Sequence, residues 1–219
     1  VLDLATGTAD VSILLAKEYR AVTADDNEQP PQLEILGIDP SENMIQVGRK
    51  KVENQGLEDE IMLEIGDARD LKGLKDSSFN AVTMSFGIRN VPEKKKVLCE
   101  MHRVLKMEVS ADGGEGDVGK LAILEFTEPT YSEGGVMGLA ARIFIRFVVP
   151  VIGAVLSGAP REYMHLQNSI KEFPPPKEFV ALMEGVKCGD KGRGTFQVDE
   201  VKYLNFGSVV LYLASPIIS

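Results

Sequence analysis

The stretch Asp3-Leu4-Ala5-Thr6-Gly7-Thr8-Ala9-Asp10 decides how this chain folds. Apolar Val1–Ala5 reads as a short strand, Gly7 marks a turn, and Val11, Leu14 and Leu15 open a helical pattern that runs to Tyr19. A strand that passes through a glycine-containing turn into a helix brings backbone N–H groups close to a ligand. A dinucleotide binder would carry Gly-x-Gly-x-x-Gly here, to admit a pyrophosphate. This turn has Gly7 alone, with Asp3 inside the strand and Asp10 just after the turn. Such a negative rim suits a cationic ligand. An ordinary strand–turn–helix with one glycine is the alternative.

Outward from this stretch the same alternation repeats. Leu33–Ile38, Ile61–Ile65, Phe79–Phe86 and Lys120–Phe126 read as further strands. Ser41 caps a helix with Met44, Ile45 and Val47 on its apolar side, and Gly56 ends it. Pro92 opens another, whose inner face is Val97, Leu98, Met101, Val104 and Leu105. Strands alternating with helices predict an α/β, Rossmann-like, doubly wound and mostly parallel sheet. Residues 134–172 read as consecutive helices without a strand, an inserted helical lid. Phe173-Pro174-Pro175-Pro176 then stops the pattern, and a helix follows over Lys177–Val186. Two apolar runs, Phe196–Leu204 and Ser208–Ala214, flank the turn residues Asn205-Phe206-Gly207 and predict an antiparallel closing pair. The sheet is thereby seven-stranded with an antiparallel last strand.

With 219 residues, the whole chain is read as one domain. The net charge of −9 argues against a nucleic-acid partner, because phosphate backbones demand Lys and Arg. Much of that charge falls in two base-free segments read as surface loop insertions. Ala24–Gln29 carries Asp25, Asp26 and Glu28, and Glu108–Asp117 carries Glu108, Asp112, Glu115 and Asp117. No apolar stretch is long enough for a simple transmembrane helix. Cys99 and Cys188 read as isolated thiols, and no His/Cys/Asp cluster has metal-ligand spacing. His102 falls off the apolar face of its helix and is expected at the surface.

Other strand ends carry candidate site residues. Asp39 closes the second strand, where an acid can accept hydrogen bonds from both ribose hydroxyls; helix capping before Pro40 is the alternative. Gly66-Asp67-Ala68 follows the third strand and could read an adenine edge, or form an Asx turn. The fourth strand ends in Ser85-Phe86-Gly87-Ile88-Arg89-Asn90. Together these ends describe a nucleoside pocket without a phosphate cradle.

Three runs carry a family resemblance. They are Asp3–Asp10, Leu36-Gly37-Ile38-Asp39-Pro40-Ser41-Glu42-Asn43-Met44-Ile45-Gln46-Val47-Gly48, and above all Ser85-Phe86-Gly87-Ile88-Arg89-Asn90-Val91. With Arg103-Val104-Leu105-Lys106, Leu124-Glu125-Phe126 and the spaced Tyr163, Leu166, Ser169 and Ile170, they resemble the ubiquinone/menaquinone biosynthesis C-methyltransferases, which are class I enzymes. The resemblance implies S-adenosylmethionine as cofactor, with contacts at Thr8, Asp39, Asp67, Ala68 and Ser85; Asp3 and Gly7 belong to the same turn. It implies methyl transfer to a ring carbon of a prenylated benzoquinol or naphthoquinol. Departures are visible: Thr6 and Ala9 stand at two positions that usually hold glycine, and His165 stands where Tyr is common. The resemblance also implies a helical segment ahead of Asp3, which is expected to be missing from this chain.

The ring carbon becomes nucleophilic when a neighbouring phenol ionises, and a cation beside that phenol stabilises the phenolate. Arg89, with Asn90, is assigned that catalytic role; anchoring of the loop to a carboxylate is the alternative for Arg89. Phe86, Tyr163 and Ser169 are assigned to the quinol pocket, although a buried hydrogen-bonded face would place Tyr163 and Ser169 equally well. Leu139, Ile143, Phe144, Phe147 and Val148, with Arg142 and Arg146, make Val136–Leu156 either an interfacial helix that draws a prenyl quinol from lipid or core packing over the sheet. A peripheral membrane contact is expected on the first reading. Other readings are a methyltransferase for another small hydrophobic phenol and a non-catalytic subunit of a quinone-biosynthesis complex. The long insertions suit a eukaryotic source, hence a mitochondrion (matrix side of the inner membrane) or plastid; otherwise the chain would be cytoplasmic and membrane-associated.

Overall fold

A computed structural model describes residues 1–24, 32–107, 118–128, 135–136, 168–188 and 195–217. Both acidic insertions, nearly all of the 134–172 lid, Tyr163 and His165 therefore lie outside the described residues.

Seven strands form one sheet: β1 (Leu2–Leu4), β2 (Ile35–Asp39), β3 (Ile61–Ile65), β4 (Ala81–Ser85), β5 (Lys120–Phe126), β6 (Thr195–Leu204) and β7 (Val209–Ile217), in the order β3-β2-β1-β4-β5-β7-β6. The pairs β1–β2, β1–β4, β2–β3 and β4–β5 are parallel, and β7 runs antiparallel to both β5 and β6. The order reverses at β1, whose two neighbours are β2 on one side and β4 on the other. In doubly wound sheets a crevice opens beyond the strand C-termini at such a point.

Among the described residues, α1 (Asp10–Thr23), α2 (Glu42–Glu53), α3 (Lys94–Val104) and α4 (Pro176–Gly185) flank the sheet. Ile13 and Ala16 of α1 and Ile45 and Val52 of α2 pack with Ile35 and Leu63 in one apolar layer. On the other layer Val97, Leu98 and Met101 of α3 join Phe179 and Met183 of α4 around Val82, Ile123 and Tyr212. Three-residue β1 is buried throughout, as befits the centre of a parallel sheet covered on both faces.

Three expectations need correction. Met44 and Val47 are about half exposed; α2 buries Ile45, Gly48 and Val52 instead. His102 is buried, its Nε2 3.1 Å from the Ile217 carbonyl and its ring edge-on to Phe196. The β6–β7 hairpin covers a side of α3 that helical periodicity assigns to solvent. Cys99 of α3 and Cys188, just after α4, are disulfide-bonded rather than isolated, with Cα atoms 5.2 Å apart. Their separation of 89 residues carries no proximity signal; packing of α3 beside α4 brings them together.

Gly37 fixes the register of β2 against the turn after β1. A Cβ there would stand 2.9 Å from Thr6 Oγ1 and 2.6 Å from a Leu63 methyl. Thr6 cannot yield freely, because its hydroxyl is committed to Asp3 and Ser12. Gly37→Ala should therefore lower stability by about 1–3 kcal/mol, read as a shifted denaturant midpoint. Thiol titration of the unfolded, unreduced chain should find no free cysteine. Reduction should destabilise the fold by up to about 4–5 kcal/mol, the chain-entropy value for a loop of this size.

Candidate active site

At the switch point a cleft of about 810 Å³ opens over the C-terminal ends of β1, β2 and β4. That volume suits a ligand of nucleoside size or larger. Asp3, Gly7, Thr8, Asp39, Asp67, Ala68, Ser85, Phe86, Arg89 and Asn90 all line it. Ser169 is buried, in the helical residues 168–172, and does not line it.

Asp3 anchors one wall from inside the central strand. It is only 1% exposed, and its carboxylate accepts hydrogen bonds from the hydroxyls of Thr6, Ser12 and Thr83, each at 2.7 Å. One side chain thus ties the turn, α1 and β4 to β1. Burial pushes the Asp3 carboxyl above its ordinary range, the three hydroxyl donors oppose this, and the nearby charge of Asp39 adds to the rise.

Asp39 does not cap α2; Ser41 does, accepting from the Met44 N–H. The Asp39 carboxylate instead accepts from the backbone N–H of Gly7 at 2.9 Å and of Ser41 at 2.8 Å, clasping the turn to the end of β2. A carboxylate has about four lone-pair positions, so acceptor capacity remains for ligand hydroxyls. The turn takes left-handed backbone at Ala5 (φ 52°), Gly7 (φ 57°) and Ala9 (φ 64°). Ala9 is fully buried at the start of α1, so its methyl fits without widening the turn. The Thr8 hydroxyl donates to Asp10 and accepts from Lys51, joining α1 to α2. Those two donors, Lys51 first, hold the Asp10 carboxyl below its ordinary range.

Asp67 sits in an Asx-type turn. Its carboxylate accepts from the Arg69 N–H at 2.8 Å and from the Arg69 side chain at 2.6–3.0 Å, contacts that hold its pKa down. Arg69 itself lines the cleft, a position that sequence reasoning missed. Phe86, at the end of β4, has φ 55° and stacks on Phe126 with ring centres 4.4 Å apart. Arg89 lies on the short 3₁₀ turn Ile88–Asn90. Its Nη1 donates to Glu125 at 2.6 Å and to the Phe86 carbonyl at 2.5 Å, while its buried Nε has no partner among the described residues. Glu125 was also missed. Its signal is a carboxylate on the strand face that otherwise carries Leu121 and Ile123.

Four carboxylates line the cleft, and Arg69 and Arg89 are its two basic side chains among the described residues. No cradle of cations for phosphates is formed, whereas a cationic nucleoside would meet acids at its ribose and sulfonium ends. These residues fit S-adenosylmethionine. No group of three or more His, Cys, Asp or Glu among the described residues could hold a metal.

Because the Asp3 pKa is raised by folding, ionising Asp3 costs more in the folded than in the unfolded chain. Its contribution to stability is greatest below the ordinary carboxylate range and declines as pH rises through that range. Asp3→Asn removes this slope. The variant should gain on the native chain as pH rises from about 4, the ordinary carboxylate value, measured by urea unfolding; a pH-independent difference would contradict the assignment.

The ubiE/COQ5 methyltransferase family model matches residues 1–210. The Bacteroides fragilis demethylmenaquinone methyltransferase is 35% identical over 215 residues, covering 98% of this chain and 74% of the relative. A ubiquinone/menaquinone biosynthesis C-methyltransferase from a Geobacter species is 38% identical over 190 residues, covering 87% and 70%. Among solved structures, a SAM-dependent methyltransferase from Aquifex aeolicus superposes with a TM-score of 0.61 at 17% identity, covering 98% of this chain and 80% of that one. The cyclase SpnF superposes with a TM-score of 0.54 at 15% identity, covering 100% and 75%. At such identities the likeness carries the fold alone. Sequence and family match together place this chain in the ubiE/COQ5 methyltransferase family, as an S-adenosylmethionine-dependent methyltransferase.

Proposed function

We propose that this chain methylates a ring carbon of a prenylated benzoquinol or naphthoquinol, the reaction class named for its relatives. The observation that carries this reading is Arg89: a cleft-lining guanidinium whose Nε has no partner among the described residues, set against the Phe126 ring, which stacks on Phe86. Flat aromatic surface suits a quinol ring, and a fixed cation suits the oxyanion of an ionised phenol.

S-adenosylmethionine supplies a methyl group on a positively charged sulfur that leaves with the bonding electrons. The protein does the rest by placement. The acidic turn, with Asp39 and Asp67, would hold the cofactor at the end of β1, and Phe86, backed by Phe126, would present the ring carbon from the β4 side. Arg89 and Asn90 stabilise the phenolate as water takes the phenol proton; arginine is too basic to take that proton itself. Transfer of the methyl group to the ring carbon would be followed by loss of that carbon's proton, restoring the aromatic quinol. Close alignment of methyl and carbon supplies much of the acceleration.

The test uses methyl-labelled S-adenosylmethionine with short-prenyl benzoquinol and naphthoquinol under reducing conditions. Turnover of one class is expected, and no turnover of either would overturn the reading. Arg89→Ala should lower kcat by about 10²–10³-fold. Its cofactor dissociation constant, measured by calorimetry, should be unchanged; an unaltered rate would remove Arg89 from the chemistry.

A further inference from the structure

Along β5 one face carries Leu121, Ile123 and then Glu125. Leu121 and Ile123 are core residues, so the pattern calls for a third apolar side chain and finds a carboxylate instead. Glu125 is 0% exposed. A charge taken out of water at such a position is tolerated only when it is paired and hydrogen-bonded.

Arg89 supplies the pairing, and Glu125 grips it at both ends. Oε1 accepts from Arg89 Nη1 at 2.6 Å, and Oε2 accepts from the Arg89 backbone N–H at 3.1 Å. Oε1 also accepts from the Phe126 N–H at 2.7 Å, which fixes the carboxylate itself. The guanidinium then lies 5.2 Å from the Phe126 ring centre, with its side chain only 9% exposed. Two other groups sense Glu125: Lys94 of α3, whose ammonium donates to the Arg89 and Val91 carbonyls, and Tyr212 of β7. Buried ion pairs often add no stability over apolar residues of equal volume, so packing alone gives no reason for this one. A guanidinium of fixed direction at the cleft wall does give a reason.

We propose that Glu125 is a positioning residue: it sets the Arg89 guanidinium at the orientation the phenolate requires and acts on methyl transfer only through Arg89. The kinetic part rests on the proposed quinol methylation; the geometric part does not.

Glu125→Gln keeps the size and one acceptor oxygen but removes the charge. Its kcat should fall by about 10–100-fold, the usual cost of losing an orienting partner. The quinol KM and the cofactor dissociation constant should stay within about threefold. Combined with Arg89→Ala, it should slow the enzyme no further than Arg89→Ala alone. An unchanged kcat, or a double variant slower than Arg89→Ala, overturns the proposal; a purely structural role would produce that extra loss and weaken cofactor binding as well. A substrate-free measurement separates this from failure of the quinol reading. In the ¹⁵N spectrum the Arg89 Nε–H signal, identified by its loss in Arg89→Ala, should exchange slowly with solvent in the native protein and quickly in Glu125→Gln. Equal exchange in both overturns the proposal even if no quinol is methylated. Should Glu125→Gln fail to fold, Glu125→Asp, with the carboxylate withdrawn on a shorter stem, serves all these measurements.

Discussion

A single carboxylate, that of Asp3, sets the geometry on which the site depends. It lies in the central strand of a sheet covered on both faces, where an acid without donors would be prohibitively costly. The three hydroxyls that satisfy it come from the turn, from α1 and from β4, so the need to solvate one anion draws those elements to the same point. Hydrogen bonds to a charged group contribute about 1.5–3 kcal/mol each, enough to specify this arrangement over looser ones. Asp39 extends the constraint by clasping the Gly7 N–H, so the turn is held from both β1 and β2.

The two ends of the cleft therefore differ. On the β1–β2 side, Asp3 and Asp39 leave a field that favours a cation; burial raises the Asp3 pKa, and the Asp39 charge adds to the rise. On the β4–β5 side, Arg89 is held by a buried acid and faces aromatic rings. The proposed methyl transfer from a sulfonium to an ionised phenol would draw on both: acids around the positive cofactor and a directed guanidinium beside the negative acceptor. A sheet that reverses its order at β1 brings these ends together without a dedicated domain.

Much of this was legible in the chain. Ile61–Ile65 and Lys120–Phe126 are strands with the boundaries their apolar runs imply, and the inner face of α3 is the one its spacing predicts. Asp3, Asp39 and Asp67 meet at one cleft because strand C-termini always share an edge in this topology. What escaped was set by distant partners. His102 is buried by a hairpin joined to it only in three dimensions, and Cys99 meets Cys188 through helix packing. Met44 lines the cleft instead of the core, and close approach of α2 to the turn is made at Gly48, not at a large apolar residue. Glu125 falls within the Leu124-Glu125-Phe126 run, yet its meaning depends on its strand face being core.

The most direct test is to locate the transferred methyl in the product. With ¹³C-methyl S-adenosylmethionine and a prenylated quinol, the product should show its label as a methyl bonded to an aromatic ring carbon, coupled to its ¹³C-labelled neighbour when the ring is also enriched. A label on oxygen, or label remaining wholly in the cofactor while the protein binds it, would contradict a cleft built to make a carbon nucleophilic.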